Sequence, residues 1–452
     1  MDSSMMEVSN RYGSYQKGKH PWLDQIPSHW LEKRAKVSFR EVDEKSAEGN
    51  EELLSVSHMT GVTPRSQKNV TMFKAASYAG HKLCRPGDIV INTMWAWMGA
   101  LGESHHTGIV SPAYGVYRLH REGTFAPGYL DYLLRTRAYI SEYICQSTGI
   151  RSSRLRLYPD KFLRIPLLQP PLEEQHSIVS YLHAQDRQIA KLIRSKRRLI
   201  ELLNEQKQTT IHRAVTRGLN LDVPLKPSGI DWLGDVPAHW SLLSLKNLAR
   251  LRSGDSITSF QIEESGEFPV YGGNGLRGYT NSYTHQGEYV LIGRQGALCG
   301  NINYANGKFW ASEHAVVANP LTKYNLRWFG EVLRAMNLNQ YSQSAAQPGL
   351  AVERIKNLCA PVPPIDEQDT IVRFFETETA SLDITINATE HEIALIREYR
   401  DRLISDVVTG QIDVRGWQPA NPIPEDEESI DTLVNNEDDS EIGEDDADDE
   451  HP

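Results

Sequence analysis

The residues from 170 to 216 occur twice, and that duplication limits the folds open to this chain more than any other feature. Pro170-Pro171-Leu172-Glu173-Glu174-Gln175 opens the first copy, and Pro363-Pro364-Ile365-Asp366-Glu367-Gln368 opens the second, 193 positions later. The register then runs without a gap to Val215-Thr216 and Val408-Thr409. Apolar positions persist while polar ones drift. The shared apolar steps are mostly four, seven or three, which is one stripe of a long helix. Paired prolines set a sharp helix start, and acidic residues in the first turn suit the helix dipole. Each helix is expected to run about 45 residues, or about 65–70 Å. So narrow a stripe on so long a helix needs a partner helix, and the other copy is the obvious one. The expected interface is Ile178, Leu182, Ile189, Ile193, Ile200 and Leu203 in one copy, with Ile371, Phe375, Leu382, Ile386, Ile393 and Ile396 in the other.

A second repeat shows that more than a helix was duplicated. Trp22-Leu23-Asp24-Gln25-Ile26-Pro27-Ser28-His29-Trp30 returns as Trp232-Leu233-Gly234-Asp235-Val236-Pro237-Ala238-His239-Trp240, offset by 210. The repeat unit is therefore a body followed by a helix. The bodies match more weakly. Gly87–Ile91 is similar to Gly287–Leu291, Gly99-Ala100-Leu101 to Gly296-Ala297-Leu298, and Ile109-Val110-Ser111 to Trp310-Ala311-Ser312. Short β-rich runs broken by glycine, with polar turns such as Gly272-Gly273-Asn274-Gly275, predict an α+β body with a substantial β core. Helical patterns within the bodies cover Tyr129–Cys145 and Arg327–Ser342.

The expected layout is a leader at 1–17, a first body at 18–168 and a first helix at 169–217. A turn-rich linker at 218–231, a second body at 232–361, a second helix at 362–415 and a tail at 416–452 follow. The net charge of −11 hides an asymmetry. Glu425 to Glu450 holds 15 acidic residues and no Lys or Arg, so 44 acidic residues stand against 48 basic ones elsewhere. The tail reads as disordered and solubilising, and the rest is mildly basic. Cys84, Cys145, Cys299 and Cys359 are far apart, which argues against a disulfide or metal framework and for a reducing cytoplasm. No apolar run approaches a membrane span.

Catalytic motifs are missing: there is no Gly-x-x-x-x-Gly-Lys-Ser/Thr, Gly-x-Ser-x-Gly or His-Glu-x-x-His. Glu103 with His105 and His106 is better read as a solvated loop than as a metal cluster. Binding features are richer. The first body has Arg65, Lys68, Lys74, Lys82 and Arg85, and then Arg151, Ser152 and Arg154 in an alternating Arg-Ser run that resists burial. The second body offers Asn274, Arg277, Arg294, Gln295 and Gln347 near glycines. Arg, Asn and Gln read base edges bidentately, while Lys and Arg neutralise phosphates. As a set these residues point to double-stranded DNA.

Taken together, the duplicated Pro-Pro-Leu/Ile-Glu/Asp-Glu-Gln helices, the Trp-x-x-x-x-Pro-x-His-Trp openings, the run from Gly87 to Tyr114 and the run from Val270 to Ala297 resemble specificity subunits of type I restriction-modification systems. The resemblance covers about residues 20–415. It implies an α+β fold with two β-rich target-recognition domains, joined by two long helices packed as an antiparallel coiled coil. It implies that each domain reads half of a bipartite DNA site. Two methyltransferase subunits carrying S-adenosylmethionine would bind the helical region, restriction subunits using ATP and Mg would join them, and this chain would hold no cofactor and be non-catalytic. The second body is about 17 residues shorter than the first between its opening and its helix, and the acidic tail departs from the family pattern. Two other readings stay open: a DNA-binding scaffold of another defence or modification assembly, and a nuclease using acids near Asp88 and Glu103.

If the helices measure the gap between half-sites, their length should set it. One DNA turn is about 34–36 Å. Duplicating Ala214–Arg217 adds roughly 6 Å and a little over one helical turn, so the stripe nearly keeps its phase. This variant is expected to lengthen the unread spacer by one or two base pairs, at roughly 3.4 Å per pair, with the half-sites unchanged. A two-residue insertion turns the stripe by about 200° and should disrupt assembly. Methylation mapping across a genome reads both outcomes, and an unchanged spacer at full activity in the four-residue variant would remove the helices as the measure.

Overall fold

The computed structural model describes residues 11–20, 22–67, 77–150, 155–296, 298–342 and 349–418. The two long helices are Leu172–Arg217 and Ile365–Val408, of 46 and 44 residues. The chain divides into two compact units, Met1–Arg197 with Glu390–Pro452, and Arg198–Thr389. This partition departs from the sequence repeat, which gives each body the whole of the helix that follows it. The reason is the direction of the helices. In the first unit Asp186 pairs with Arg400 and Lys196 with Glu392. In the second, Lys207 pairs with Asp383, and Gly218 lies beside Glu367. Numbers rise along one helix as they fall along the other, so each unit holds the start of one helix and the end of its antiparallel partner.

The seam of the second helix reads Phe375, Thr379, Leu382, Ile386, Thr389, Ile393, Ile396, Arg400, Leu403 and Val407, in alternating steps of four and three. That 3.5-residue repeat is the coiled-coil signature. Ile178, Leu182, Ile189 and Ile193 of the first helix are buried, as are Ile371, Phe375, Ile386 and Ile393 of the second. Ile200, Leu203, Leu382 and Ile396 are half-buried. Burial is deepest where a body also covers the helix. Ile178 and Leu182 share a core with Leu403 and Val407, and Ile371 and Phe375 share one with Ile211 and Val215.

Each body is built on a related sheet. In the first unit the strand order is Phe39–Glu41, Gly115–Leu119, Ile89–Ile91, Leu101–Glu103, all antiparallel. In the second it is Ala249–Ser253, Ala315–Pro320, His285–Gly293, Ile302–Ala311, followed by Phe268–Gly272 and Gly275–Thr280. The first four strands correspond, and their pairing corrects the sequence match. Ile91 pairs with Leu101 as Ile292 pairs with Ile302, an offset of 201. The match of Gly87–Ile91 to Gly287–Leu291 was therefore one residue out, a slip that turns every side chain to the other face. Gly99 corresponds to Gly300 rather than Gly296. Both have φ near +90° (89° and 86°), a conformation that favours glycine. The helical pattern Tyr129–Cys145 is two helices, Tyr129–Leu134 and Arg137–Gln146, and Arg327–Ser342 is Leu326–Ala335 followed by a short 3-10 turn, Leu338–Tyr341. The segments read as leader and linker also carry structure: Tyr15–Lys17 pairs with Gln25–Pro27, and Leu225–Pro227 with Asp235–Pro237, at the same offset of 210.

The duplicated motifs meet in space. Glu174 takes the Trp30 indole N–H at 2.9 Å and the His29 Nε2 at 2.8 Å. Glu367 does the same with Trp240 at 3.1 Å and His239 at 2.8 Å. The next residue fastens the body's helix: the Gln175 side-chain Oε1 accepts the Ala126 N–H, and that of Gln368 accepts the Asn325 N–H. Each indole also faces the glycine that ends the opposite helix. A Cβ on Gly410 would lie 3.2 Å from Trp30, and one on Gly218 would lie 3.1 Å from Trp240. In the first unit the chain beyond Gly410 packs on the opening residues: Gln411 donates to the Gln25 carbonyl, and the Arg415 guanidinium sits 4.9 Å from the Tyr12 ring centre.

Polar residues in the seam differ between the units. Asp186 is buried and receives the Arg400 Nε at 2.7 Å and the Tyr132 hydroxyl at 2.8 Å. At the corresponding positions the second unit has Thr379 and Lys207, and Lys207 pairs instead with Asp383, one turn along and far more exposed. Breaking a buried pair costs about 3–5 kcal/mol, whereas a surface pair is worth at most about 1 kcal/mol. Asp186→Ala is therefore expected to lower the denaturant midpoint much more than Asp383→Ala. Equal losses in chemical denaturation would show that the buried bridge has no special weight.

Candidate nucleic-acid interface

In the second unit three turns meet where strands of the sheet end. They are 272–275, 294–301 without residue 297, which lies outside the described residues, and 312–314. Backbone hydrogen bonds knit them together: Ser312 N–H donates to Tyr271, Arg294 N–H to His314, and Leu350 N–H to Arg294. Gly273 allows the close approach, since a Cβ there would sit 2.7 Å from the Gln295 carbonyl oxygen and 3.3 Å from that of His314. Four sequence candidates converge at this site. Asn274, Arg277 and Gln295 are exposed. Arg294 is half-buried and donates to the Glu313 carbonyl at 3.4 Å. Gln347 lies outside the described residues, but Gly349, two positions on, forms a β-bridge with Gln295.

The corresponding turns of the first unit also meet. Asn92 donates to the Tyr114 hydroxyl oxygen, the Thr93 hydroxyl to the Ala113 carbonyl, and Leu157 N–H to the Thr93 carbonyl. The amide of Asn92 is buried here, and the partly exposed side chains of the turn are aromatic: Trp95 and Trp97 stack at 5.9 Å between centres. Lys82 is tied into it, donating to the Tyr114 carbonyl at 2.9 Å with Asp43 at 3.7 Å, and only 11% of its side chain is exposed. Arg85 is exposed and pairs with Glu44 at 2.8 Å. Arg65 is half-buried at the start of a short 3-10 turn, Arg65–Gln67. Lys68, Lys74, Arg151, Ser152 and Arg154 lie outside the described residues. Sequence reading missed the Trp95–Trp97 stack and the exposed apolar side chains Phe260, Leu276 and Leu298 of the second unit. The tryptophans sit in a turn at the end of a strand, which was the available signal.

Residues 237–394 match the model of the type I restriction modification DNA specificity domain. The chain is 44% identical over 146 residues to the EcoprrI type I restriction enzyme specificity subunit of Escherichia coli, covering 31% of this chain and 36% of that one. It is 34% identical over 122 residues to a putative type I restriction enzyme specificity subunit of Haemophilus influenzae, covering 26% and 32%. The chain is a relative of the type I specificity subunits. Its matched stretches span about a third of the length of these curated relatives. A solved chain, from work on assembly and conformational transition of the type I R-M system, shares the fold with a TM-score of 0.59 at 18% identity, over 85% of this chain and 99% of that one.

In this relative of specificity subunits the two acids that hinted at nuclease chemistry are held by the fold. Asp88 accepts two hydrogen bonds from Arg118, both at 2.8 Å, and one from the Arg85 N–H. Glu103 accepts the Gly128 N–H at 2.9 Å. Burial pushes its carboxyl up to about 7, against the opposing pull of that N–H, and Asp131 adds to the rise. Among the described residues no group of three or more His, Cys, Asp or Glu is placed to hold a metal ion, and no helix is long and apolar enough to cross a membrane.

The close packing of the turns in the second unit gives a direct check. Gly273→Ala has no room for its methyl and should force the Gly272–Gly275 and Arg294–Asn301 turns apart, at about 1–3 kcal/mol for overpacking. Thermal unfolding should report that loss, while Gly296→Ala, with open space around its Cβ but a φ of +94°, should cost only the backbone strain of about 1–2 kcal/mol. Full stability of Gly273→Ala would mean that the turns are not knit together as described.

Proposed function

We propose that this chain is the non-catalytic DNA-recognition subunit of a cytoplasmic type I restriction-modification complex. Each unit reads one half of an asymmetric bipartite double-stranded DNA target through its turn cluster. Two methyltransferase subunits dock on the long helices, and restriction subunits complete the assembly. S-adenosylmethionine, ATP and Mg belong to those partners.

The observation that carries this reading is the pair of turn clusters. They stand at corresponding ends of related sheets but present different side chains, Asn274, Arg277 and Gln295 in one and the Trp95–Trp97 stack in the other. Equivalent scaffolds with different contact groups suit two different half-sites. Exposed apolar residues on the helices favour docking partners: Leu192 and Leu395 in the first unit, and Leu199, Leu202 and Ile384 in the second, are 39–70% exposed. A soluble protein leaves so many large apolar side chains uncovered on helices chiefly where another protein binds.

Exchanging residues 20–165 for those of a relative tests the reading. The exchange is expected to change the bases of one half-site only, as read by methylation mapping in cells that hold the partner subunits. If both half-sites changed together, independent reading by the two units would fail. If neither changed, the turn clusters would not be the reading elements.

A further inference from the structure

Residues 254–263 form a loop of the second unit whose start is fastened beside the turn cluster and whose end is fastened to the strand Gly275–Thr280 that leaves it. At its start, the Asp255 N–H donates to Ala311 at 2.9 Å, the Asp255 carbonyl accepts the Trp310 indole N–H at 3.2 Å, and Asp255 forms a β-bridge with Ser312. At its end, Glu263 and Tyr279 exchange backbone hydrogen bonds at 2.9 and 2.8 Å, two residues beyond Arg277. Ile262 packs against Gly278, where a Cβ would come within 2.6 Å of it. Between these anchors lies a 3-10 turn, Ser259–Gln261, closed by a reciprocal capping box in which Gln261 Oε1 accepts from the Thr258 N–H at 3.1 Å. A capping box satisfies two backbone donors of the turn reciprocally and so favours this conformation. Phe260 sits on it and is 97% exposed, more than any other large apolar side chain described in this unit. Leu276, on the strand Gly275–Thr280, and Leu298, on the turn after His285–Gly293, are 54% and 50% exposed.

A single exposed apolar residue is ordinary. Phe260 differs because the turn that displays it is fixed at both ends and capped, and because its anchors are Ser312, in the turn cluster, and Tyr279, on the strand that carries Arg277. The loop supplies no positive charge: Glu263, Glu264 and Glu267 follow Phe260 and are exposed. Its contribution to DNA binding therefore cannot be to phosphates. A phenyl ring can meet DNA at a thymine methyl or between bases opened at a flexible step, and either contact depends on sequence without any hydrogen bond.

We propose that Phe260 is a specificity-determining residue that packs against nucleobases of the half-site read by the second unit. The proposal rests on the DNA-recognition function given above. The test is selection of duplexes from a random-sequence library by the full chain, followed by affinity measurement on the selected duplex at fixed salt. Phe260→Ala should flatten preference at one or two adjacent base pairs of one half-site and weaken binding about ten-fold. Binding to unselected duplex should stay unchanged, since that rests on phosphates. Phe260→Trp, which keeps a flat apolar ring, should restore affinity to within about two-fold. Because the side chain is exposed, both variants should keep the circular dichroism of the parent. If the parent selects no sequence, the DNA-recognition reading falls, and this proposal with it. If the parent selects a sequence and Phe260→Ala selects the same one with the same affinity, the proposal alone falls. It is overturned equally if Phe260→Ala reads DNA as the parent does but no longer co-purifies with a methyltransferase subunit, which would make the ring a protein contact.

Discussion

Glu174 and Glu367, each at the start of a long helix, fix the helices to the bodies. Each carboxylate binds an indole N–H and an imidazole from the opening of its body. The same indole lies against the glycine that ends the antiparallel helix. One acidic side chain thus brings together a body, the first turn of its own helix and the last turn of the other. Carboxylates in the first turn gain from the helix dipole, and hydrogen bonds to a charged acceptor are the stronger kind. The adjacent glutamine extends the attachment by capping a backbone N–H just ahead of a body helix. The Glu-Gln pair in both copies of the motif is explained by these contacts.

Between the two attachments the helices rely on each other. A two-stranded seam covers only a narrow stripe, which is why Ile200, Leu203, Leu382 and Ile396 remain half-buried while residues under the bodies are fully buried. Polar residues interrupt the seam at Asp186, Thr379, Thr389 and Arg400. Such positions give up some burial and in return define register. The Asp186–Arg400 bridge also accepts Tyr132 from the first body, so the register of the helices and the seating of that body are coupled.

The helices were legible in the sequence because their register is ungapped over two score residues and their period is long. The bodies were not legible to the same degree. The first body's strands of three to five residues can be laid on the longer strands of the second in several alignments, so Gly87–Ile91 matches one residue out and Gly99 falls on Gly296 instead of Gly300. Only the hydrogen-bonded partners Ile91–Leu101 and Ile292–Ile302 fix the offset. In the candidate site, Asn274, Arg277, Arg294 and Gln295 were recognisable as a group because they sit among glycines that permit tight turns. Lys82 was read by charge alone, and nothing in the sequence says that its ammonium is engaged by the Tyr114 carbonyl and Asp43. Phe260 carries no signal in the sequence because its meaning depends on anchors at Ser312 and Tyr279, 52 and 19 residues away in the chain.

The first unit is assembled from two stretches, Met1–Arg197 and Glu390–Pro452, with the whole second unit between them in the chain, joined by contacts such as Gln411 to Gln25 and Arg415 to Tyr12. The second unit is one continuous stretch, Arg198–Thr389. Domains generally fold as units while the chain emerges from the ribosome, so this difference sets an order of events. The second unit has all of its residues once Thr389 has been made. The first, although it leads the chain, must wait for Leu403, Val407 and Gly410 before Ile178, Leu182 and Trp30 can be covered. During synthesis the earlier half is therefore the one that stays open, with its apolar helix face exposed, and the later half closes first.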